Sequence, residues 1–230
     1  MKNNPKWMGK GLLIVAVAVA GLGLAGPVYA DSFTFTSCHI SGSTCAGGSV
    51  PSGFGTVTLT QSGTSVNFDI VLDNGNRFVE TGAGGGNLFN FNDTVAGSAV
   101  TSATATLNGT TTSLAISGST NLSPFQADGT GFFTAGVFCT TVSDCNGGST
   151  PNINDLHFTV TNATIAQLTT ANANGNIFVA DILCGATQTG CTGGLTGPVD
   201  VSGTPGVPEP ASLLLLGAGL AGIGLWRRKS

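Results

Sequence analysis

Between residues 31 and 204 the chain is written in short runs whose apolar and polar side chains alternate, and a period of two admits strands and little else. The plainest run is Ser65–Leu72. Val66, Phe68, Ile70 and Leu72 fall on one side of it, and Asn67, Asp69 and Val71 on the other. Similar runs occupy 32–37, 54–61, 77–81, 87–92, 131–139, 155–162 and 176–184, with a weaker last one at 199–203. Turn-forming residues separate them, among them Ser62-Gly63-Thr64, Asp73-Asn74-Gly75-Asn76 and the glycine-rich 82–86. Asn108-Gly109 predicts a tight hairpin joining 98–107 to 110–117, because both residues tolerate positive φ. A short helix is expected within 163–171, where Ile165 and Leu168 are three apart. About ten strands with this punctuation predict an all-β fold, an antiparallel β-sandwich of Greek-key or jelly-roll type. A β-helix is the alternative, although no fixed short period recurs.

Charge narrows the partners. Ten acids in 31–204 face one base, Arg77, a formal balance of −9 that the whole-chain value of −4 conceals. Nucleic acid is excluded, because phosphates are held by lysine and arginine. All 13 phenylalanines lie in this stretch, which has no Trp, Tyr, Met or Lys. Phenylalanine lacks a polar handle, so these rings are expected to fill a core. A sugar-stacking platform of Trp and Tyr is disfavoured.

The six cysteines fall into a repeat. Each pair follows a phenylalanine-containing run and leads into x-Gly-Gly: Cys38 and Cys45 before Ala46-Gly47-Gly48, Cys139 and Cys145 before Asn146-Gly147-Gly148, Cys184 and Cys191 before Thr192-Gly193-Gly194. Six cysteines allow 15 pairings. The repetition favours three local ones, Cys38–Cys45, Cys139–Cys145 and Cys184–Cys191, each contributing about 2 kcal/mol if unstrained. Metal binding would ask for closer spacing. The stapled loops are expected to gather at one end of the sandwich.

Groups for catalysis are sparse. His39 falls inside the first cysteine loop, and His157 is expected to face solvent from a strand with Asp155 on the same side. No serine occupies G-x-S-x-G. Neither enzymatic activity nor a cofactor is expected. Asp69, Asp73 and Glu80, with Asn74 and Asn76 between, are weak candidates for calcium, but the D-x-[DN]-x-[DN]-G loop is missing.

Both ends read as membrane signals. Lys2, Lys6 and Lys10 precede an apolar stretch at 12–26, and Val28-Tyr29-Ala30 suits a cleavage site, so residues 1–30 are expected to be a signal peptide for general secretory (Sec) export and Asp31 the mature N-terminus. G-x-G-x-x-G occurs at 21–26 and 217–222, but inside apolar membrane segments, where no dinucleotide site can form. Near the C-terminus come Val207-Pro208-Glu209-Pro210-Ala211, an apolar run through 211–226, and Arg227-Arg228-Lys229. The prolines hold the first part extended. The apolar run reaches about 24 Å as a helix, enough for a somewhat thinned bilayer, and the basic cluster should stay on the cytoplasmic side.

These three parts in this order resemble the PEP-CTERM sorting signal, over 207–230, and the sorting segment is set at 205–230 after a secreted domain at 31–204. The resemblance implies that exosortase, a membrane-embedded cysteine protease-transpeptidase, cuts near Pro208-Glu209-Pro210 while 211–226 is held transiently in the inner membrane. It also implies a Gram-negative host that makes exopolysaccharide and biofilm matrix. The expectation is an exported, non-enzymatic structural protein of the cell surface or extracellular matrix. The alternatives are an adhesin or glycan- or calcium-binding module and, third, a secreted hydrolase.

Overall fold

The alternation becomes sixteen strands in the computed structural model, which describes residues 30–112, 114–146 and 153–202. The expected signal peptide through residue 29, including Val28, the expected sorting motif Val207–Ala211, the apolar 211–226 and the basic Arg227, Arg228 and Lys229 lie outside the described residues.

In chain order the strands are β1 (Ala30–Thr34), β2 (Ser37–Cys38), β3 (Gly48–Ser49), β4 (Gly55–Ser62), β5 (Ser65–Leu72), β6 (Arg77–Phe78), β7 (Phe89–Phe91) and β8 (Ala99–Leu107). There follow β9 (Thr110–Thr111), β10 (Ile116–Ser119), β11 (Phe125–Ala127), β12 (Gly131–Phe133), β13 (Ala135–Cys139) and β14 (Asp155–Thr161). The single turn of helix α1 (Ile165–Leu168) precedes β15 (Asn176–Leu183) and β16 (Thr196–Ser202). One sheet has the order β1-β4-β5-β14-β8-β9. The second runs β10-β13-β7-β15-β16-β2-β3, with β6 also beside β15, and β11 and β12 form a separate hairpin. Every pairing is antiparallel. A β-helix stacks parallel strands, so that alternative falls.

Phenylalanine joins the layers. Phe68 of β5 stacks on Phe158 of β14 at 4.4 Å within the first sheet, and meets Phe178 of β15 edge-on at 5.9 Å across the core. Phe33 of β1 meets Phe178 edge-on at 5.1 Å. Such edge contacts suit the ring quadrupole and add to the burial itself. The two antiparallel sheets therefore pack face to face over one continuous core. Phe132 breaks the expectation that phenylalanine stays inside: it is 57% exposed, pointing away from the β11–β12 hairpin.

Several strands differ from their sequence pattern for identifiable reasons. The 77–81 run is paired as a strand only through Phe78, because the chain bends at Thr81 to grip Asp181. Beyond Asn108-Gly109 the hairpin keeps only two residues in β9, and the chain then crosses to pair β10 with β13 in the other sheet. The 131–139 run splits at Thr134, whose hydroxyl donates to the Asp93 carbonyl at 3.0 Å, leaving β12 to pair with β11. The weak last strand is instead seven residues long and central, with β15 on one side and β2 on the other. Its Pro198 is tolerated there because the Pro198 carbonyl accepts from His39 N–H at 2.8 Å. Its hydrogen-less nitrogen thus faces the same side, where β2 has ended. The helix shrinks to α1, which starts where Thr164 N–H donates to Gln167 Oε1 at 2.9 Å and Ile165 N–H to Gln61 Oε1 at 2.9 Å.

The antiparallel order gives the domain two distinct ends. β2, β13 and β15 alternate with β16 and β7 across the second sheet, so all three run in one direction. Each reaches a cysteine at its leading end: Cys38, Cys139 and Cys184. β16 runs the other way and ends at Ser202 at the opposite end. β1, which leads through Phe35 and Thr36 into β2, starts at that same opposite end.

Candidate functional site

Sequence reasoning points to the cysteine loops first. The structure joins Cys38 to Cys45, Cys139 to Cys145 and Cys184 to Cys191, with Cα separations of 5.8, 6.2 and 6.0 Å. All three loops lie at one end of the second sheet. The first and third touch, since Cys45 N–H donates to the Gly190 carbonyl at 3.0 Å and Thr44 Oγ1 to the same oxygen at 3.1 Å. Asn76 ties the third to the turn after β5. Its Nδ2 donates to the Phe54 carbonyl at 3.1 Å and to Gln188 Oε1 at 2.7 Å, and its Oδ1 accepts from Gly185 N–H at 2.9 Å. Asn76 is therefore a buried structural amide.

Glu80 brackets the second loop, accepting from Cys139 N–H at 3.0 Å while its own N–H donates to the Cys145 carbonyl at 2.8 Å. Among the described residues Glu80, Cys139 and Cys145 make the one group of three potential metal donors. Both sulfurs are bonded to each other, so no thiolate is on offer. Burial pushes the Glu80 carboxyl above its usual range, against the pull of the Cys139 amide. The calcium candidates do not converge. Asp69 stands on the solvent side of the first sheet, Asp73 is exposed in the turn after β5, and Glu80 is buried beside a disulfide.

The outer face of the first sheet is open and polar. Cross-strand register sets Ser32, Thr58, Asp69, His157 and Thr104 in one row. A second row holds Thr60, Asn67, Thr159 and Thr101. His157 does face solvent, but its partner is Asp69 across the strand, Nδ1 to Oδ1 at 3.2 Å, while Asp155 accepts from Thr106 Oγ1 at 2.8 Å. Thr159 Oγ1 donates to Asn67 Oδ1 at 2.8 Å.

The outer face of the second sheet is covered by the β11–β12 hairpin and the 81–86 loop. Val179 packs there with Ala127 and Phe133. Beside it Asn90, Asp181 and Asp200 are almost entirely buried. Asp181 Oδ2 accepts from Thr81 N–H at 2.8 Å and from the Thr81 hydroxyl. Burial nonetheless outweighs those bonds and pushes its pKa up to about 6. Asp200 lies 2.8 Å from His39 Nε2. Burial raises the Asp200 carboxyl, and His39 and Ser37 oppose that. The His39 ring is wedged against Gly129, where an added Cβ would come within 2.5 Å of Nδ1.

Asp181, Asp200 and Asn90 escaped the sequence reading, although a signal for Asp181 exists. In β15 both alternating sets are apolar, Phe178, Ala180 and Ile182 against Ile177 and Val179. A strand apolar on both sides is buried on both sides. Asp181 within it is buried by implication.

No helix among the described residues is long and apolar enough to cross a membrane. Residues 206–229 match the model of the PEP-CTERM protein-sorting motif. No curated protein and no solved structure matches the chain. The motif marks an exported protein with exosortase as its processing partner and a C-terminal segment that associates transiently with the membrane.

Proposed function

We propose that this PEP-CTERM chain is a structural protein of the cell surface or extracellular matrix, acting as a substrate of exosortase and not as a catalyst. The observation that carries the reading is the adjacency of two parts: a disulfide-stapled all-β domain ends at Ser202, and the sorting motif begins at residue 206. Sec export of the unfolded chain, with cleavage after Ala30, delivers it to an oxidising compartment where the three disulfides form. Val207, Pro208, Glu209 and Pro210 are then presented to exosortase at the outer face of the inner membrane, with 211–226 in the bilayer and Arg227, Arg228 and Lys229 behind it. Cleavage frees the domain or passes it to an acceptor in the exopolysaccharide matrix. Intact-mass and terminal-peptide mapping of protein from the medium and each envelope fraction of its native host tests this. The expected species starts at Asp31, ends within Val207–Pro210, and is found outside the inner membrane. A chain intact through Ser230 and confined to the inner membrane overturns it.

A second reading is an adhesin for an uncharged glycan, favoured by the open hydroxyl and amide rows of the first sheet. Saturable binding of a neutral polysaccharide, weakened by Asn67→Ala and Thr159→Ala, supports it. The absence of Trp and Tyr from 31–204 counts against it.

A further inference from the structure

We infer that the end of the domain carrying both termini is the surface that meets lipid headgroups while the tail is in the membrane, and that the three disulfide loops form the tip pointing away. The inference rests on the reading of 211–226 as a membrane segment and adds to it a specific face and a specific partner.

Reach comes first. Eight residues, 203–210, separate the end of β16 from the apolar run at 211–226. Fully extended they span about 28 Å. β16 pairs with β15 along its length, to Ser202 opposite Asn176, and with β2 at Val199 and Asp200, so the strand that leads into the tail is fixed in the sheet. Its end is therefore held within about one domain length of the bilayer. Structures around that end are the β4–β5 turn at 62–64, the 94–97 loop, the 119–122 segment after β10, and the 162–175 stretch with α1. Asn162 Nδ2 donates to the Gly97 carbonyl at 2.9 Å, and Asn121 Nδ2 to the Val95 carbonyl at 2.9 Å, which gathers these segments together. A shallow hollow lined by Gly63, Thr64, Asn162, Ala163, Thr164 and Gln167 opens here.

Charge gives the second argument. A domain with ten acids and one base should be pushed off an anionic leaflet. Those four segments, however, contain no charged residue: they are Thr, Ser, Asn, Gln, Gly and apolar side chains. The acids nearest this end are withdrawn. Asp93 is 1% exposed and accepts from Val95 N–H at 2.9 Å, and Asp31 is half-buried in β1. Of the exposed acids, Asp73 and Asp144 stand at the disulfide end and Asp69 on the open face of the first sheet. Asp128 alone stands nearer, on the hairpin turn whose Thr130 carbonyl accepts from Asn172 and Asn176. The eight residues of β15 set the two ends about 26 Å apart. That is more than two Debye lengths at about 10 Å each, so acids at the far end barely feel the leaflet. Turned over, the same domain would press Asp73 and Asp144 against it.

The test uses a single-tryptophan series. Trp226→Phe leaves the mature chain, residues 31–230, without tryptophan. Into it go Thr64→Trp or Leu122→Trp at the terminal end and Val142→Trp at the disulfide end. Thr64 is exposed, Leu122 is 38% exposed and Val142 56%, so none of the three rings has to enter the core. Each chain is reconstituted in nanodiscs of anionic and zwitterionic lipid bearing a headgroup nitroxide, a contact quencher. The expected result is quenching several-fold stronger at 64 and 122 than at 142. Equal quenching at all three, stronger quenching at 142, or none at any position in chains that co-purify with the discs overturns the orientation alone. Folded chains that fail to enter the discs overturn the membrane reading of the tail, and the orientation with it.

Discussion

The two outer faces of this molecule use the same alternation to opposite ends. On the first sheet the outward set, Thr58, Asn67, Asp69, His157 and Thr159, meets water, and its members bond to one another across strands. On the second sheet the outward set includes Val179, Asp181 and Asp200, and a hairpin drawn from residues 125–133 closes over it. A histidine–aspartate pair occurs on each. His157–Asp69 is solvated, with side chains 41% and 55% exposed, whereas Asp200 in the other pair is 1% exposed. The comparison teaches that an ion pair's energetic weight follows its cover more than its chemistry. Exposed pairs are screened and contribute about 0–1 kcal/mol, while removing the partner of a buried charge strands that charge.

The sharpest way to break the comparison is to uncover the second face. Phe133→Ala removes the fully buried ring that seats the hairpin, and a loss of about 3–4 kcal/mol in urea unfolding is expected. Thr159→Ala on the open face should stay within about 0.5 kcal/mol. Equal losses would mean that the hairpin is ornament.

Next comes pH. Asp181 has a folded-state pKa raised to about 6 from 3.8, so the folded state holds its proton more tightly than the unfolded chain. The stability from that proton is fully present below about pH 4 and is lost as pH rises through about 6. The change amounts to about 3 kcal/mol. Glu80 and Asp200 are raised as well and act in the same direction. Urea midpoints should fall between about pH 4 and about pH 7, and Asp181→Asn, which keeps an acceptor for Thr81, should flatten much of that slope. A midpoint that rises over this range would show that the second face is not closed.

The smallest contrast is between the two histidines. His39→Ala leaves the buried Asp200 carboxyl without its imidazole partner and should cost about 2 kcal/mol, less than breaking a fully buried pair because His39 is itself 24% exposed. His157→Ala should cost less than about 0.5 kcal/mol. Thermal melts of both variants in low and high salt rank them.

What could be read in advance follows range. Ser65–Leu72 was legible to the residue because its period and both flanking turns are local. The cysteine pairs were legible for the same reason, each closing within six or seven positions. The sorting tail was legible because proline stiffness, apolar length and terminal charge each act without tertiary help. β10 was not, since Asn108-Gly109 specifies a turn but cannot say that the strand after it changes sheets. The bulge in β8 at Ser102, with φ of 54°, answers to packing against β14 and leaves no mark in composition. The burial of Asp200 depends on a hairpin some 70 residues earlier in the chain. Local pattern carries none of that.

β16 has one more consequence, which concerns time. The partners of β2 are the two residues of β3 and, about 160 positions later, Val199 and Asp200. A chain threading outward from its N-terminus must keep β2 and the far side of β15 waiting until the last strand arrives. Completion of the sheet and arrival of the sorting motif, which starts four residues beyond β16, are thus nearly simultaneous. A chain cut short anywhere before residue 196 lacks both, and so remains open to proteases and unmarked for delivery.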